Sequence, residues 1–278
     1  MPAVRDRESR HRGVTRRADN GGMSFSVEAI ERATLAAVPP DTLEEQSGWL
    51  VPLDAGTVGR AHSAAPLHHG APDLSLLPQI ETRYRAAGLP PVFRLPVETP
   101  AFADFDAALR ERGYVPSRPT LVMTGSAAAM AAGGRADAVQ LDAQPGEDWS
   151  RVYLGEGFDP VDGAHRVRLL RRAHDAVYAG VRLALEPGAP EQLGAVGCAC
   201  FSHGLVGVHG MRTRPRFRGR GLARQLMAAM GVEAERRGIA NAFLQVEVEN
   251  YLARSLYARI GFEPAWTYVY WQQPSVAA

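Results

Sequence analysis

Apolar residues recur every three or four positions in several stretches of the chain, and this period predicts amphipathic helices. The helices expected from it span residues 26–38, 74–87, 101–112, 147–153, 163–175, 219–237 and 250–260. Shorter apolar runs, and runs in which apolar and polar residues alternate, lie between these helices and predict β-strands.

The expected strands lie near residues 48–53, 58–63, 92–95, 120–124, 138–143, 176–186, 195–204, 205–213, 241–249 and 266–272. Some of them follow one another directly, whereas others are separated by helices, so strands and helices do not alternate strictly. This mixture predicts an α/β fold of the α+β type, in which helices cover a mixed sheet.

Two breaks in the apolar pattern divide the chain. Residues 1–22 hold six arginines and almost no apolar side chains, which predicts a disordered tail, with a basic nucleic-acid-binding arm as the alternative. A fresh helical pattern begins after Met23, which is therefore a candidate for the natural first residue. Residues 126–137 are rich in Ala and Gly, and we expect them to link a domain at 23–125 to a domain at 138–278.

A weak internal repeat relates the two halves. The segments AALRERGYVP, residues 107–116, and SLYARIGFEP, residues 255–264, both end a helical pattern with Gly, an aromatic residue and then Pro. Each segment is preceded by one expected strand and followed by another. The shared order favours an internal duplication over a chance similarity of two helix ends.

Composition and charge argue against several classes of function. The chain has 278 residues, a formal net charge of +1 and no Lys, so no strong field favours a polyanionic partner such as a nucleic acid. No apolar run approaches the roughly 18 residues that span a membrane, and the N-terminal segment lacks the apolar core of a signal peptide. We therefore expect a soluble, cytoplasmic protein. His62, His68 and His69 lack the Cys or carboxylate spacing of a metal site, so no metal is expected.

The most informative stretch is RPRFRGRGLARQLM, residues 214–227, which carries five arginines and two glycines before a helical pattern. It follows a strand, so the expected order is strand, short loop, glycine pair and helix. Backbone N–H groups in the first turn of a helix lack partners, and glycines let an anion approach them. The order favours a compact phosphate or pyrophosphate over an extended nucleic-acid backbone. Turning glycines among solvated arginines are the alternative.

Arg216, Gly219 and Gly221 resemble the R/Q-x-x-G-x-G/A pyrophosphate loop of the GNAT superfamily, the acyl-CoA-dependent N-acyltransferases. Residues 244–262 are similar to the strand and helix that follow in that family, with the pattern N-x-x-A-x-x-L-Y-x-x-x-G-F. The resemblance covers residues 138–275, whereas the N-terminal half resembles a degenerate copy without the glycine loop. It implies two GNAT-like domains, each a mixed, mostly antiparallel sheet flanked by helices.

The resemblance implies an N-acetyltransferase that uses acetyl-CoA as its acyl donor and a primary amine as its acceptor. A regulatory protein that senses acyl-CoA without catalysis is the alternative. Neither a nucleic acid nor a membrane is expected as a partner. Two copies of the fold can pack within one chain, which favours a monomer over a homodimer.

The resemblance also implies roles for individual residues. Backbone groups of Met211, Arg212 and Thr213 would pair with the pantetheine arm of acetyl-CoA. The pyrophosphate would be held by the loop and the first turn of the next helix, at Arg216, Arg218, Gly219, Arg220, Gly221, Leu222 and Ala223. Asn250 would contact the cofactor arm, with helix capping as the alternative. Tyr257 would donate a proton to the leaving thiolate, with core packing as the alternative.

The general base is open at this point. Glu247 shares one face of its expected strand with Phe243, Gln245 and Glu249, and it is a candidate base or amine-binding carboxylate. His209, on the preceding strand, has an ordinary pKa suited to the same work. A water path is the third possibility.

Overall fold

The computed structural model describes residues 25–274 of the chain. The expected tail at residues 1–22 and the start at Met23 therefore lie outside the described residues. The helices are α1 (Val27–Ala37), α2 (Leu76–Ala86), α3 (Ala103–Glu111), α4 (Ala127–Ala132), α5 (Glu147–Leu154), α6 (Pro160–Arg171), α7 (Leu222–Arg236) and α8 (Tyr251–Ile260).

The strands are β1 (Thr42–Gln46), β2 (Trp49–Leu53), β3 (Ala65–Pro66), β4 (Val92–Pro96), β5 (Val115–Ser126), β6 (Val139–Asp142), β7 (Ala176–Leu183), β8 (Gln192–Ser202), β9 (Leu205–Thr213), β10 (Asn241–Glu247) and β11 (Glu263–Gln272). Eight of them form one sheet in the order β4-β11-β5-β10-β9-β8-β7-β6, and β1-β2-β3 form a smaller one. Among the described residues of the large sheet, only β9 and β10 are parallel neighbours. The expected mixed, mostly antiparallel sheet flanked by helices is confirmed.

Neighbouring residues of a strand point to opposite sides of the sheet, so both sides can carry apolar side chains. Helices cover both of these faces. On one face Leu244 of β10 belongs to a buried cluster with Leu226 and Met230 of α7. On the other face Phe243 belongs to a second cluster with Ile30 of α1. The helix that carries the glycine loop is thus packed along its length against the sheet. Among residues 25–274 no helix is long and apolar enough to cross a bilayer.

The two repeat segments form corresponding elements that interleave in the sheet. The unit β4-α3-β5 in the N-terminal half matches β10-α8-β11 in the C-terminal half. β5 pairs antiparallel with both β10 and β11, and β11 pairs in turn with β4. The order β4-β11-β5-β10 therefore alternates strands from the two units. The last strand of each unit lies against the first strand of the other.

The structure differs from the expected elements in three places within the N-terminal half, at the 3-10 turn, at β1 and at the unexpected two-residue strand β3. Residues 58–63 do not form a strand, because Gly59–His62 make a turn of 3-10 helix. Gly59 lies against the ring of Tyr270, and a Cβ there would be 2.8 Å from that ring. The small strand β1 was not expected, because Leu43 is its only apolar residue and its side chains are mostly exposed.

The segment expected to be a linker contains helix α4. The Ser126 hydroxyl accepts a hydrogen bond from the backbone N–H of Ala129 and caps this helix. α4 lies so close to α7 that a Cβ on Gly231 would be 2.5 Å from the backbone nitrogen of Ala131. Small residues are thus needed here for close helix packing, and the same composition also occurs in flexible linkers.

Candidate active site

The sheet opens between β9 and β10. Their parallel pairing runs only from Asn241 and Leu205 to Leu244 and Val208, and no further register pair joins them. A cleft of about 240 Å³ lies at this opening. It is lined by Val208, His209, Gly210, Met211, Leu244, Gln245, Val246, Glu247, Asn250, Ala253 and Tyr257.

A β-bulge in β9 shapes one wall of this cleft. Cys198 pairs with His209, but Val196 pairs with Arg212, so β9 has one more residue than β8 at this point. Gly210 has a φ of +62°, a conformation that favours glycine. The extra residue changes which side chains face each side of the sheet. It also leaves the β10-facing edge of the strand end without a register partner in β10, so that backbone groups there are available to a ligand.

The loop after β9 presents its backbone and its arginines to solvent. Phe217 is buried and anchors the loop, whereas Arg216, Arg218 and Arg220 are exposed. None of these three arginines forms an ion pair with a carboxylate of residues 25–274. Their charges are therefore free to meet an anionic ligand.

The N-terminus of α7 has the geometry of an anion site. Gly219 and Gly221 both have a φ of +74°, and no heavy atom of the described residues, apart from the chain neighbours, lies within 4 Å of a Cβ built on either. Within residues 25–274 no side chain caps this helix, which is also true of α2, α3 and α5, whereas Ser26, Ser126, Asp159 and Asn250 cap α1, α4, α6 and α8. The first turn begins at Leu222 and Ala223, with N–H groups directed toward the loop.

Asn250 and Tyr257 lie on the other wall of the cleft. The Asn250 side-chain oxygen accepts a hydrogen bond of 3.2 Å from the backbone N–H of Ala253, so this residue caps α8. Tyr257 follows two turns later on the same helix face and is 7% exposed. Burial raises the pKa of the Tyr257 phenol to about 12, which keeps its proton in place at neutral pH.

The two candidate bases differ sharply in their surroundings. Glu247 is exposed at the end of β10 and lines the cleft. His209 is buried, and a guanidinium nitrogen of Arg60 lies 3.0 Å from its Nδ1. Burial and the Arg60 charge both lower the pKa of His209 well below its usual value. Its Nε2 is also buried without a partner among the described residues.

A larger cavity of about 370 Å³ lies beside the loop, and it is lined by Arg151, Val152, Gly155, Glu156, Arg212, Thr213, Arg214, Pro215 and Arg218. The Arg212 side chain donates hydrogen bonds to the backbone carbonyls of Tyr153 and Leu154, at 3.1 and 2.8 Å. It thereby ties the end of α5 to the end of β9. The structure thus brings the expected residues to two adjoining places, the cleft and the loop with its cavity.

Sequence reasoning missed the contribution of the N-terminal half to this site. Arg60 reaches His209 from the 3-10 turn, and Thr34 of α1 accepts a hydrogen bond of 2.9 Å from Gln245. Tyr268 of β11 donates a further hydrogen bond of 3.0 Å to the Gln245 side chain. No motif in the sequence marks Arg60 or Thr34, because the contacts join residues far apart in the chain.

Comparison with known proteins finds similarity over most of the chain. Residues 25–271 match the family described as "Probable histone acetyltransferase Rv0428c C-terminal". The chain is 25% identical over 245 residues to the "Uncharacterized N-acetyltransferase YobR" of Bacillus subtilis (strain 168), an alignment that covers 86% of this chain and 95% of the relative.

Two solved structures share the fold at low sequence identity. The GCN5-related N-acetyltransferase from Kribbella flavida is 17% identical, with a TM-score of 0.62 over 91% of this chain and 97% of that one. A tandem GNAT protein from the clavulanic acid biosynthesis pathway is 12% identical, with a TM-score of 0.55 over 91% of this chain and 98% of that one.

Proposed function

The chain belongs to the family described as "Probable histone acetyltransferase Rv0428c C-terminal", within the GNAT superfamily of acyltransferases, and we propose that it transfers an acetyl group from acetyl-CoA to a primary amine. One observation carries the proposal: the uncapped N-terminus of α7 follows the open end of β9, beside a cleft that contains a buried, protonated Tyr257.

The residues in and around the cleft suit the parts of acetyl-CoA. The open backbone edge at Met211, Arg212 and Thr213 would pair with the amide groups of the pantetheine arm. Backbone N–H groups around Gly221 and the helix dipole would hold the pyrophosphate, with the neighbouring arginine side chains adding positive charge. Asn250 would contact the arm where it passes the start of α8. These assignments need no metal.

In the proposed reaction the amine nitrogen attacks the thioester carbonyl carbon directly. A C–N bond forms and the C–S bond breaks, which yields an amide and the CoA thiolate. Tyr257 would give its proton to the thiolate, because burial keeps the phenol protonated at neutral pH. A backbone N–H group near the bulge at Gly210 would stabilise the oxyanion that develops on the carbonyl oxygen.

The amine must lose a proton before or during attack, and we assign this step to Glu247, directly or through water. Glu247 lies in the cleft and is exposed to solvent, so a proton can leave from it. His209 is unsuited to this role, because burial and the adjacent Arg60 both oppose its protonation. The choice of Glu247 over His209 as the base thus rests on the surroundings of the two side chains.

The first experiment is calorimetric titration of acetyl-CoA and CoA into the wild type and a Gly221→Glu variant. We expect the wild type to bind acetyl-CoA with micromolar affinity. In the variant the Glu carboxylate would lie where the pyrophosphate binds, so its affinity for acetyl-CoA should fall by at least about tenfold. Gly238→Glu is a matched control at the opposite end of α7. Gly238 has a φ of +71° and, like Gly221, open space around a Cβ.

Both variants carry the same backbone strain and the same added charge, so a difference between them reports the anion site. Equal affinities of the two variants would contradict the assignment of the loop. Absence of binding by the folded wild type would contradict the proposed function itself. Wild-type binding without thiol release in the presence of any amine would favour an acyl-CoA sensor.

A further inference from the structure

The N-terminal half contributes a charged side chain beside the reaction centre. Gly59 of the 3-10 turn lies against the ring of Tyr270, which fixes the turn over the sheet. From there the half-buried Arg60 reaches His209, with 3.0 Å between its guanidinium nitrogen and Nδ1. His209 immediately precedes the bulge at Gly210, so Arg60 approaches the part of β9 where the oxyanion would form.

The charge of Arg60 has no carboxylate partner within residues 25–274. By contrast, Arg166 and Arg172 of the neighbouring α6 region are paired with Asp162 and with Asp41. His209 accepts the hydrogen bond from Arg60 as a neutral ring, so it leaves the positive charge uncompensated. A partly buried guanidinium group without a counter-ion favours the binding of an anion.

A small cavity of about 160 Å³ lies between the end of α5, the start of α6 and the bulge of β9. It is lined by Tyr153, Leu154, Phe158, Arg166, Gly210, Met211 and Arg212, so no carboxylate of the described part of the chain lines it. Gly210 and Met211 belong to this cavity and also to the cleft that contains Glu247 and Tyr257. An acceptor in the cavity would therefore meet the acetyl group at the bulge.

Charges of both signs lie near this junction. Glu247 lines the cleft on the β10 side, and Arg60 contacts His209 of β9, which lines the same cleft. The positive charges of Arg60 and Arg166 also act against the rise that burial causes in the pKa of Tyr153, a residue of the cavity wall. The charge pattern suits a zwitterion whose ammonium group faces Glu247 and whose anionic group faces Arg60.

We propose that the acceptor is a small amine that also carries a carboxylate, such as a free amino acid, and that Arg60 is the residue that binds this carboxylate. The inference rests on the proposed function, because it names the acceptor of that same site. It gives the N-terminal half a direct role in specificity. Arg60 is a specificity-determining residue, and proton transfer remains assigned to Glu247 and Tyr257.

The test compares three matched classes of acceptor in a thiol-release assay with acetyl-CoA: free amino acids, their carboxamides and the corresponding decarboxylated amines. A lysine-containing peptide with blocked ends is the fourth arm. We expect kcat/KM to be about ten- to a hundredfold higher for the best amino acid than for its carboxamide, which has nearly the same shape without the charge.

The same comparison is made with Arg60→Gln, Arg60→Lys and the control Arg110→Gln. Arg110 also lies in the N-terminal half, where it stacks over Trp271. Arg60→Gln should lose the preference for the carboxylate through KM while the affinity for acetyl-CoA stays within about twofold of the wild type. Arg60→Lys should keep part of the preference, because it retains the charge without the forked geometry. The control should behave as the wild type.

Equal use of amino acids and carboxamides by the wild type, or preference for the blocked lysine peptide, would overturn the inference whatever the variants do. Retention of the preference by a folded Arg60→Gln variant would overturn the role of Arg60. If the wild type binds acetyl-CoA but acetylates no amino acid, the proposed acceptor class is wrong and the proposed acetyl-CoA site is retained. If it does not bind acetyl-CoA, both proposals fail.

Discussion

At the scale of single residues, the site depends on how burial changes acidity. Tyr257 and His209 both lie in the cleft wall. Burial raises the pKa of Tyr257 and lowers the pKa of His209, so it favours the neutral form of each side chain. For the phenol this preserves a proton that can be donated. For the imidazole it prevents uptake of one, and the Arg60 charge adds to the effect. The same physical cause thus keeps Tyr257 protonated and His209 unprotonated at neutral pH.

Replacing Tyr257 by Phe should lower kcat by about a hundredfold or more, since a positioned general acid contributes about 10²–10⁴ in rate. The affinity for acetyl-CoA should change little, because the ring remains. Steady-state kinetics and calorimetry together check this. Tyr251→Phe is the control on the same helix, where the side chain is 69% exposed and should be dispensable.

The pH dependence belongs to the same experiment. The phenol pKa is raised to about 12, so the acid form persists as pH rises and is lost only near that value. Wild-type kcat should therefore show no decline due to Tyr257 between pH 7 and about pH 10. An alkaline limb near pH 10 that disappears in the Phe variant would contradict the raised pKa.

At the scale of elements, the starts of α7 and α8 serve different purposes. The Asn250 side chain caps α8, so the N–H group of Ala253 in its first turn has a partner without a ligand. α7 begins at a glycine with no capping side chain, and its first turn is available to an external anion. The start of α8 lines the cleft between β9 and β10, and α7 follows the end of β9 after a short loop.

Asn250 combines a capping role with a proposed cofactor contact, and two substitutions separate them. Asn250→Ala should lower the free energy of unfolding by about 1 kcal/mol, whereas Asn250→Ser should keep the cap and nearly all of the stability. Both should weaken acetyl-CoA binding, because both remove the amide. Urea unfolding and calorimetry measure the two effects. Wild-type affinity in the Ser variant would show that Asn250 acts only as a cap.

At the scale of the whole molecule, the two halves share one sheet. β5 lies between β10 and β11, and every residue of β10 from Asn241 to Glu247 has a register partner in β5. The N-terminal half therefore supplies a central strand as well as Arg60 to the C-terminal half. The strand exchange between the repeat units makes the architecture of the site a property of the full chain.

This arrangement predicts that residues 138–278 expressed alone will not fold cooperatively, because removal of β5 leaves β10 and β11 with unpaired edges. Circular dichroism during thermal unfolding checks this, with residues 23–278 as the control. Co-expression of residues 23–137 should restore a soluble complex that binds acetyl-CoA. A cooperative unfolding transition in the isolated 138–278 segment, at the temperature seen for the control, would contradict the prediction.

The sequence by itself determined the elements with strong periodicity and the local chemistry. The spacing of Leu222, Leu226 and Met230 predicted the helix after the glycines, and the motif from Asn250 to Phe262 predicted α8. These signals are readable because periodicity and glycine conformations depend on neighbours in the chain. The order of strand, glycine pair and helix indicated the anion site for the same reason, since all three lie within one short stretch of sequence.

Only the tertiary structure decided which distant residues meet. The 3-10 turn that holds Arg60 was expected to be a strand, and α4 was expected to be a linker. Both segments pack against residues that are far away in sequence, the 3-10 turn against Tyr270 and α4 against Gly231, and a local pattern does not contain such contacts. The placement of β5, the surroundings of His209 and the positive charge beside Gly210 likewise depend on packing between residues far apart in sequence, to which no local period or propensity corresponds.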